Sequence, residues 1–332
     1  MQRTAILSDG RWRGPHGIGR FAREVLRRLP EHAQLERGPR PLSAADPLWL
    51  ACQVAIRRPG VFFSPGFNPP LLCPVPFVFT IHDLIQIQMP GVATPAKHLY
   101  YDAVIKPACR RAYRVLTVSE WSREQIVRWA GISGERVVNV GNGVDAPFSP
   151  GGPRYEPGFP YILYVGNSRP HKNLDRLLQA FRGLECPGLR LILAGAVKPD
   201  IGLRLDQLGI RARTRTLTDV SDEQLAALYR GALLLALPSL IEGFGLTALE
   251  AMACGTPVVA SRSTALPEIV GDAACLVDPL DVRDIEHGME GVLSDAARRA
   301  VMCERGIARA RCFSWDRVGD AVRSVLENAG GR

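Results

Sequence analysis

"YILYVGNSRPHKNLDRLLQAF" runs from Tyr161 to Phe181. An aromatic and β-branched run, Tyr161–Val165, closes on Gly166. A polar turn follows with Arg169, His171 and Lys172, and apolar residues then recur at helical spacing to Phe181. The stretch predicts a buried strand, a turn and an amphipathic helix. The same alternation extends in both directions. In the first half, strands are expected near Thr4–Ser8, Val61–Ser64, Phe77–Ile81, Val115–Val118 and Val137–Val140, with helices near Gly19–Leu29, Pro95–Ala112 and Glu120–Ala130. In the second half, strands are expected near Leu189–Ala194, Thr214–Leu217, Leu233–Leu237, Pro257–Ala260 and Ala274–Val277. Helices there are expected near Leu174–Arg182, Ser221–Arg230, Leu246–Cys254, Asp281–Leu293 and Ala296–Ala310. Strands apolar on both faces imply parallel sheets covered by helices, hence an α/β chain with two Rossmann-like domains. "GNGVDAPFSPGGPRYEPGFP", Gly141–Pro160, is rich in Pro and Gly, lacks a helical period and reads as the linker. Ligands of open α/β sheets bind outside the carboxyl ends of the strands. Two such domains are expected to face each other across a cleft.

Composition narrows the function classes. The chain has 332 residues, 46% of them hydrophobic, as expected for globular domains. No run of 18 apolar residues exists to span a membrane. The start, "MQRTAILSDGRW", lacks the apolar stretch of a secretory leader, so residence in the cytoplasm is expected. Eight cysteines are scattered without C-x-x-C or Cys/His metal spacing, and all are expected to be buried free thiols. The net charge of +8 is uneven: residues 1–150 hold 19 Lys+Arg against 11 Asp+Glu, and residues 151–332 hold 22 of each. Such asymmetry suits an anionic ligand or an anionic membrane surface, and equally a solvated basic face in an Arg-rich chain. No nucleic-acid module is visible, so nucleic acid is not expected as a partner.

Four constellations carry chemistry. "PSLIEGFGLTALEAMACGTPVV", Pro238–Val259, places Glu242 and Glu250 around a Gly243-Phe244-Gly245 turn and the start of a helix at Leu246. The glycines allow close backbone approach, and the helix start offers free N–H groups to anionic or polar atoms. Each carboxylate suits a vicinal diol, one on a sugar and one on a ribose. A turn acid and a solvated helix acid fit the same spacing. Arg169, His171 and Lys172 stand before a helix, where cations suit phosphate, or form an exposed basic turn. "HGIGRFAREV", His16–Val25, fits the loose G-x-G-x-x-[GA] pattern from Gly17 to Ala22, with Glu36 as a weak ribose acid. Its glycine does not follow the strand directly, so a loop bringing N–H groups to a diphosphate fits better than dinucleotide binding. "FVFTIHDL" places His82 and Asp83 at the end of a strand, and Ser119 caps the helix of "TVSEWSREQI" with Glu120 in its first turn.

Taken in order, these elements resemble a retaining glycosyltransferase of the two-domain GT-B fold, family four. "EGFGLTALEAMACGTPVVAS" resembles its E-x7-E motif, and "YVGNSRPHKNL", "TVSEWSREQI", "GNGVD" and "HDL" fall in the family's order. "FSWDRVGDAVRSVLENA" resembles the closing helix, which usually returns to the first domain. The resemblance implies a first, acceptor-side domain over 1–142, a linker over 143–160, a nucleotide-sugar domain over 161–313 and a returning helix over 314–332. It implies that Glu242 and the backbone of Gly243, Phe244, Gly245 and Leu246 hold the donor sugar. By the same resemblance Glu250 holds the ribose, Lys172 the diphosphate, and His82 lies beside the transferred sugar. Gly17 and Gly19 match the loop near the diphosphate, and Asp83 is an acceptor-side residue. Asn167 stands where the family often has an arginine, a role Arg169 can take from two residues on. The implied partners are a nucleotide-sugar donor and a glycan or lipid-linked saccharide acceptor, with no cofactor and no metal. The pattern most resembles bacterial mannosyl- and rhamnosyltransferases of surface polysaccharide, which favours a GDP-linked donor. The basic first domain suits a peripheral position on the inner face of the plasma membrane. A nucleotide-sugar 2-epimerase of similar fold, an NAD-dependent oxidoreductase and a non-catalytic sugar-nucleotide-binding module are the rival readings.

Overall fold

A computed structural model describes residues 6–12, 14, 16–196 and 201–331. The chain divides into two compact units, residues 1–143 with 314–332, and residues 144–313.

The first unit runs β1 (Ile6–Asp9), α1 (Gly17–Arg28), β2 (Ala33–Leu35), α2 (Asp46–Arg57), β3 (Val61–Ser64) and β4 (Phe77–Thr80). It continues through α3 (Ile85–Gln88), α4 (Pro95–Tyr100), a π-helical turn (Tyr101–Ile105), α5 (Lys106–Arg111), β5 (Arg114–Thr117), α6 (Glu120–Ala130) and β6 (Val137–Asn139). Its six strands are all parallel in the order β2-β1-β3-β4-β5-β6. The strands Ile6–Asp9, Val61–Ser64 and Phe77–Thr80 are buried along their whole length, as a sheet covered on both faces requires.

The second unit runs β7 (Tyr161–Val165), α7 (Leu174–Gly183), β8 (Arg190–Ala194), α8 (Ile201–Gln207), β9 (Thr214–Leu217), α9 (Asp222–Gly231) and β10 (Leu234–Leu237). It ends with α10 (Leu246–Ala253), β11 (Val258–Ser261), α11 (Leu266–Val270), β12 (Cys275–Val277), α12 (Val282–Leu293) and α13 (Ala296–Ala310). The order β12-β11-β10-β7-β8-β9 is again wholly parallel. Each unit is therefore a Rossmann-like layer of helices, sheet and helices. The last helix, α14 (Trp315–Gly330), packs on α1 of the first unit. There Trp315 meets Phe21 edge-on at 6.4 Å, and Arg28 bonds Asp316 at 2.7 Å.

Several details differ from the sequence expectation. Thr4 lies outside the described residues, and β1 extends to Asp9. The single helix expected over Pro95–Ala112 is α4 and α5 joined by the π turn. Pro107 lacks the N–H that would bond the carbonyl of Ala103, and the register ahead of it slips, with Lys106 donating to Tyr101. Five elements were not expected: β2, α2, α3, α8 and α11. Four are too short to show a period. α2 buries Leu50 and Val54 yet exposes Leu48 and Ile56, so its apolar residues do not form one stripe. The cysteines are all free, but not all buried: Cys52 and Cys312 are exposed because each lies on the outward side of a helix or its end. The Pro/Gly-rich stretch read as the linker is tied to α9. Arg230 donates to the carbonyls of Pro153 at 2.7 Å and Ser149 at 3.1 Å, and Tyr155 N donates to Ala227 O at 3.0 Å.

Candidate active site

In the second unit, sequence neighbours switch sides of the sheet between β7 and β10. A switch point opens a crevice at the strands' carboxyl ends. The turn after β7 carries Asn167 to Lys172, and the turn after β10 carries Ser239 to Gly245. Lys172 Nζ donates to Glu242 Oε1 at 2.7 Å, and Ser239 Oγ donates to the same oxygen at 2.7 Å. The Glu242 backbone N donates to Thr264 Oγ1 at 3.0 Å, so the loop after β11 holds the acid from behind. Both bonds to the carboxylate fall on Oε1. Among the described residues Oε2 has no hydrogen-bond partner, and it is not among the buried unpartnered atoms. Asn173, with φ +57, closes the β7 turn, and its Nδ2 donates to Pro238 O at 2.8 Å and Pro279 O at 2.6 Å. That amide stitches the loops after β7, β10 and β12 together.

Gly245 caps α10 at φ +106, where a side chain would also overlap Leu266. Its carbonyl accepts from Ala248 N at 3.0 Å and Leu249 N at 3.2 Å. The N–H groups of Leu246 and Thr247 therefore lie ahead of the helix's own ladder, at the positive end of its dipole. Phe244 is buried and meets Phe313 edge-on at 5.8 Å, which fixes the Gly243–Gly245 turn. Glu250 lies on α10 and is only 4% exposed, so it is no solvated helix acid. Tyr229 of α9, itself buried, donates to Glu250 Oε2 at 3.0 Å. Asn167 is spent on its own turn, with Oδ1 accepting from Arg169 N at 3.1 Å, and the Arg169 side chain is exposed. His171 is buried, and loss of hydration, with Lys172 adding repulsion, pushes its pKa down to about 4.

The first unit brings together the remaining predicted residues. His82 follows β4 and is buried; Phe21 of α1 meets its ring edge-on at 4.9 Å. Its Nε2 lies 3.0 Å from Pro65 O, so that nitrogen carries the proton and Nδ1 is the ring's acceptor. Burial lowers the His82 pKa to about 4, against the raising effect of Pro65 O and with His16 adding repulsion. Gly17 and Gly19 stand in the first turn of α1, not in a loop. His16 caps that turn, its Nδ1 accepting from Gly19 N at 3.0 Å. A Cβ on Gly19 would overlap the Gly14 carbonyl, so the glycine is needed for close backbone packing. Asp83 Oδ1 accepts from Ile85 N at 3.0 Å and starts α3. Sequence reasoning missed Ser239, Thr264, Asn173 and Tyr229. Ser239 lies three residues before Glu242 in the same turn, while Thr264, Asn173 and Tyr229 meet partners 21 or more residues away that only the fold brings to them. Among the described residues no three His, Cys, Asp or Glu side chains gather as a metal site.

Comparison with known proteins bears on this geometry. Residues 153–309 match the family described as "Glycosyl transferases group 1", and residues 11–148 match "Glycosyltransferase Family 4". The O-antigen chain mannosyltransferase B of Escherichia coli is 35% identical over 254 residues, 72% of this chain and 67% of the relative. The chain belongs to the family 4 glycosyltransferases. Within that family, a D-inositol 3-phosphate glycosyltransferase of Mycolicibacterium smegmatis is 34% identical over 77% of this chain and 62% of its own length. The chain thus spans about two thirds of these relatives' length. Among solved structures, Anabaena Alr3699/HepE in complex with UDP and glucose aligns with a TM-score of 0.79 at 17% identity, over 98% of this chain and 100% of that one. WaaG, a glycosyltransferase involved in lipopolysaccharide biosynthesis, aligns with a TM-score of 0.73 at 16% identity, over 97% and 99% of the two chains. These structures share the fold, which is GT-B.

Proposed function

We propose that this family 4 chain is a retaining hexosyltransferase of surface polysaccharide synthesis. It moves a mannose- or rhamnose-like hexose from a GDP-linked donor to a glycan or lipid-linked acceptor. One observation carries the reading: at the switch point of the second sheet, Glu242 is held by Lys172 and Ser239 through Oε1 while Oε2 is left to accept. An ammonium has three donors, and Lys172 uses one on Glu242, so two are available for diphosphate oxygens. Glu242 Oε2 and the backbone of Gly243, Phe244 and Gly245 take the hexose hydroxyls. Glu250, oriented by Tyr229, takes the ribose diol.

In the transfer, the bond from the anomeric carbon to the diphosphate oxygen breaks and a bond to the acceptor oxygen forms on the same face. The leaving phosphate oxygen takes the acceptor's proton. Negative charge grows on that phosphate, and Lys172, Arg169 and the amino end of α10 oppose it without a metal. By the family resemblance, neutral His82 is the residue for the transferred sugar, Asp83 for the acceptor, and Gly17 and Gly19 for the diphosphate. The mannosyltransferase relative supports the hexose. The lipid-linked acceptor and the basic first domain support a peripheral position on an anionic membrane. Membership of the family favours transfer over 2-epimerisation. Dinucleotide binding is disfavoured because Gly17 comes eight residues after the end of β1 at Asp9.

A thermal-shift screen against GDP-, UDP- and dTDP-sugars tests the donor. A ligand at 100 times its Kd adds about 2.7 kcal/mol to stability, and the GDP-sugar is expected to give the largest shift. A larger shift with a UDP- or dTDP-sugar overturns the GDP assignment, and no shift with any overturns donor binding.

A further inference from the structure

The apolar residues that break the pattern of α2 lie on one outward face. Leu48 is 59% exposed, Cys52 is exposed and Ile56 is 76% exposed, at successive four-residue steps. Steps of four keep side chains on one side of a helix, and eight residues span about 12 Å. The loop between β3 and β4 continues this surface. Leu71 N donates to Pro47 O at 2.8 Å, which places the loop against the first turn of α2, and Leu71 and Leu72 are 39% and 68% exposed. The flanking charge is mainly positive. Residues 36–76 contain four exposed arginines, Arg37, Arg40, Arg57 and Arg58, against one exposed acid, Glu36, and one other acid, Asp46. Asp46 is fully buried and paired with Arg11 at 2.8 Å, so it contributes nothing to the face. On the far side of the loop, Arg111 donates to Leu71 O at 2.6 Å. Arg111 then lines a pocket with Tyr113, Arg114 and Arg136, in which Glu135 is the one acid.

We propose that this face, α2 with the Leu71–Leu72 loop, is where the chain docks on an anionic phospholipid bilayer. The proposal rests on the lipid-linked acceptor of the proposed function and assigns it a surface. Exposed leucine and isoleucine side chains enter the boundary between headgroups and acyl chains, and the surrounding arginines pair with lipid phosphates. A second protein copy would be met by the same arginines, which repel their own equivalents. An anionic lipid surface satisfies both the apolar and the basic part of the face.

The test is co-sedimentation of the full chain with vesicles of phosphatidylcholine alone or with about one third phosphatidylglycerol. Binding is expected on the anionic vesicles, falling with added salt, because such attraction is screened over about 8 Å at physiological ionic strength. Leu48→Ser with Ile56→Ser, and separately Leu72→Ser, are expected to weaken it at least tenfold. Arg57→Gln with Arg58→Gln is expected to weaken it about 25-fold, at roughly fivefold per arginine near a charged surface. Leu203→Ser with Leu280→Ser, equally exposed residues of the second unit, serves as the control and should leave binding unchanged. Nucleotide-sugar thermal shifts on the same samples report the second unit separately. Normal donor shifts without vesicle binding, or with binding that the α2 and loop variants leave intact, overturn the docking face alone. Vesicle binding that the variants abolish, without any donor shift, upholds the face and overturns the donor reading. A self-associated wild type that loses its dimer in the Leu48/Ile56 variant assigns the face to a second copy and overturns the proposal.

Discussion

Lys172 bonds the acid proposed for the sugar, and its ammonium keeps two further donors beyond that bond. Charge on the leaving phosphate is greater in the transition state than in the bound donor, so the ammonium acts mainly on kcat. Lys172→Ala is expected to lower kcat by about 10²–10³-fold, roughly 2.7–4 kcal/mol, with donor KM rising only about tenfold. Steady-state kinetics with the best donor checks this, and Arg169→Ala, whose side chain is exposed, should have the smaller effect. Glu250 is the second test at this scale. Glu250→Gln keeps the shape but loses the charge, and nucleotide binding is expected to weaken by about 1.5–3 kcal/mol in calorimetry with free GDP. Unchanged affinity would make Glu250 a buried structural acid held by Tyr229. Glu242, Lys172 and His82 were legible in the sequence as members of short motifs that follow strand ends, and Glu250 only through its eight-residue spacing from Glu242 on α10. Tyr229 was not, because its partner lies 21 residues away and only the packing of α9 on α10 unites them.

Among the elements, the strands were read most faithfully. Parallel strands buried on both faces appear as continuous apolar runs, and β7, β10 and β11 are such runs. Helices were legible where one face is apolar, as in α1 and α12, and illegible where the apolar residues point two ways, as in α2. Where the sequence suggests a loop carrying N–H groups at Gly17 and Gly19, the structure has the first turn of α1. In fact Gly19 admits the Gly14 backbone, a packing demand. Gly19→Ala is therefore expected to destabilise the chain by about 1–3 kcal/mol in urea titration, the range for forcing added atoms into a packed site. The same substitution would cost nothing, or stabilise, if the turn were a free loop.

At the level of the whole molecule, two buried histidines, one in each unit, contribute to the acid response. His82 and His171 are held near a pKa of about 4, against about 6.5 when unfolded. Between those values the unfolded chain binds more protons, so stability is complete above about pH 6.5 and is lost as pH falls toward 4. Each histidine is expected to cost about 2 kcal/mol at pH 5 relative to pH 7.5. Denaturant titration at the two pH values checks this, and His171→Asn should remove its share of the difference. The two-unit plan followed from alternation alone. Which nucleotide and which acceptor the chain uses did not, because no base- or acceptor-reading residue stands out by spacing.

The most direct test of the account is transfer of labelled hexose from GDP-mannose, with UDP-glucose and dTDP-rhamnose in parallel, into the lipid-soluble fraction of bacterial membranes. The wild-type chain should transfer label from the GDP-sugar, the product should keep the donor's anomeric configuration by NMR, and Glu242→Gln and Lys172→Ala should each reduce the rate at least a hundredfold. Transfer with inversion, or transfer at wild-type rate by both variants, would contradict the assignment of Glu242 and Lys172 to a retaining sugar transfer.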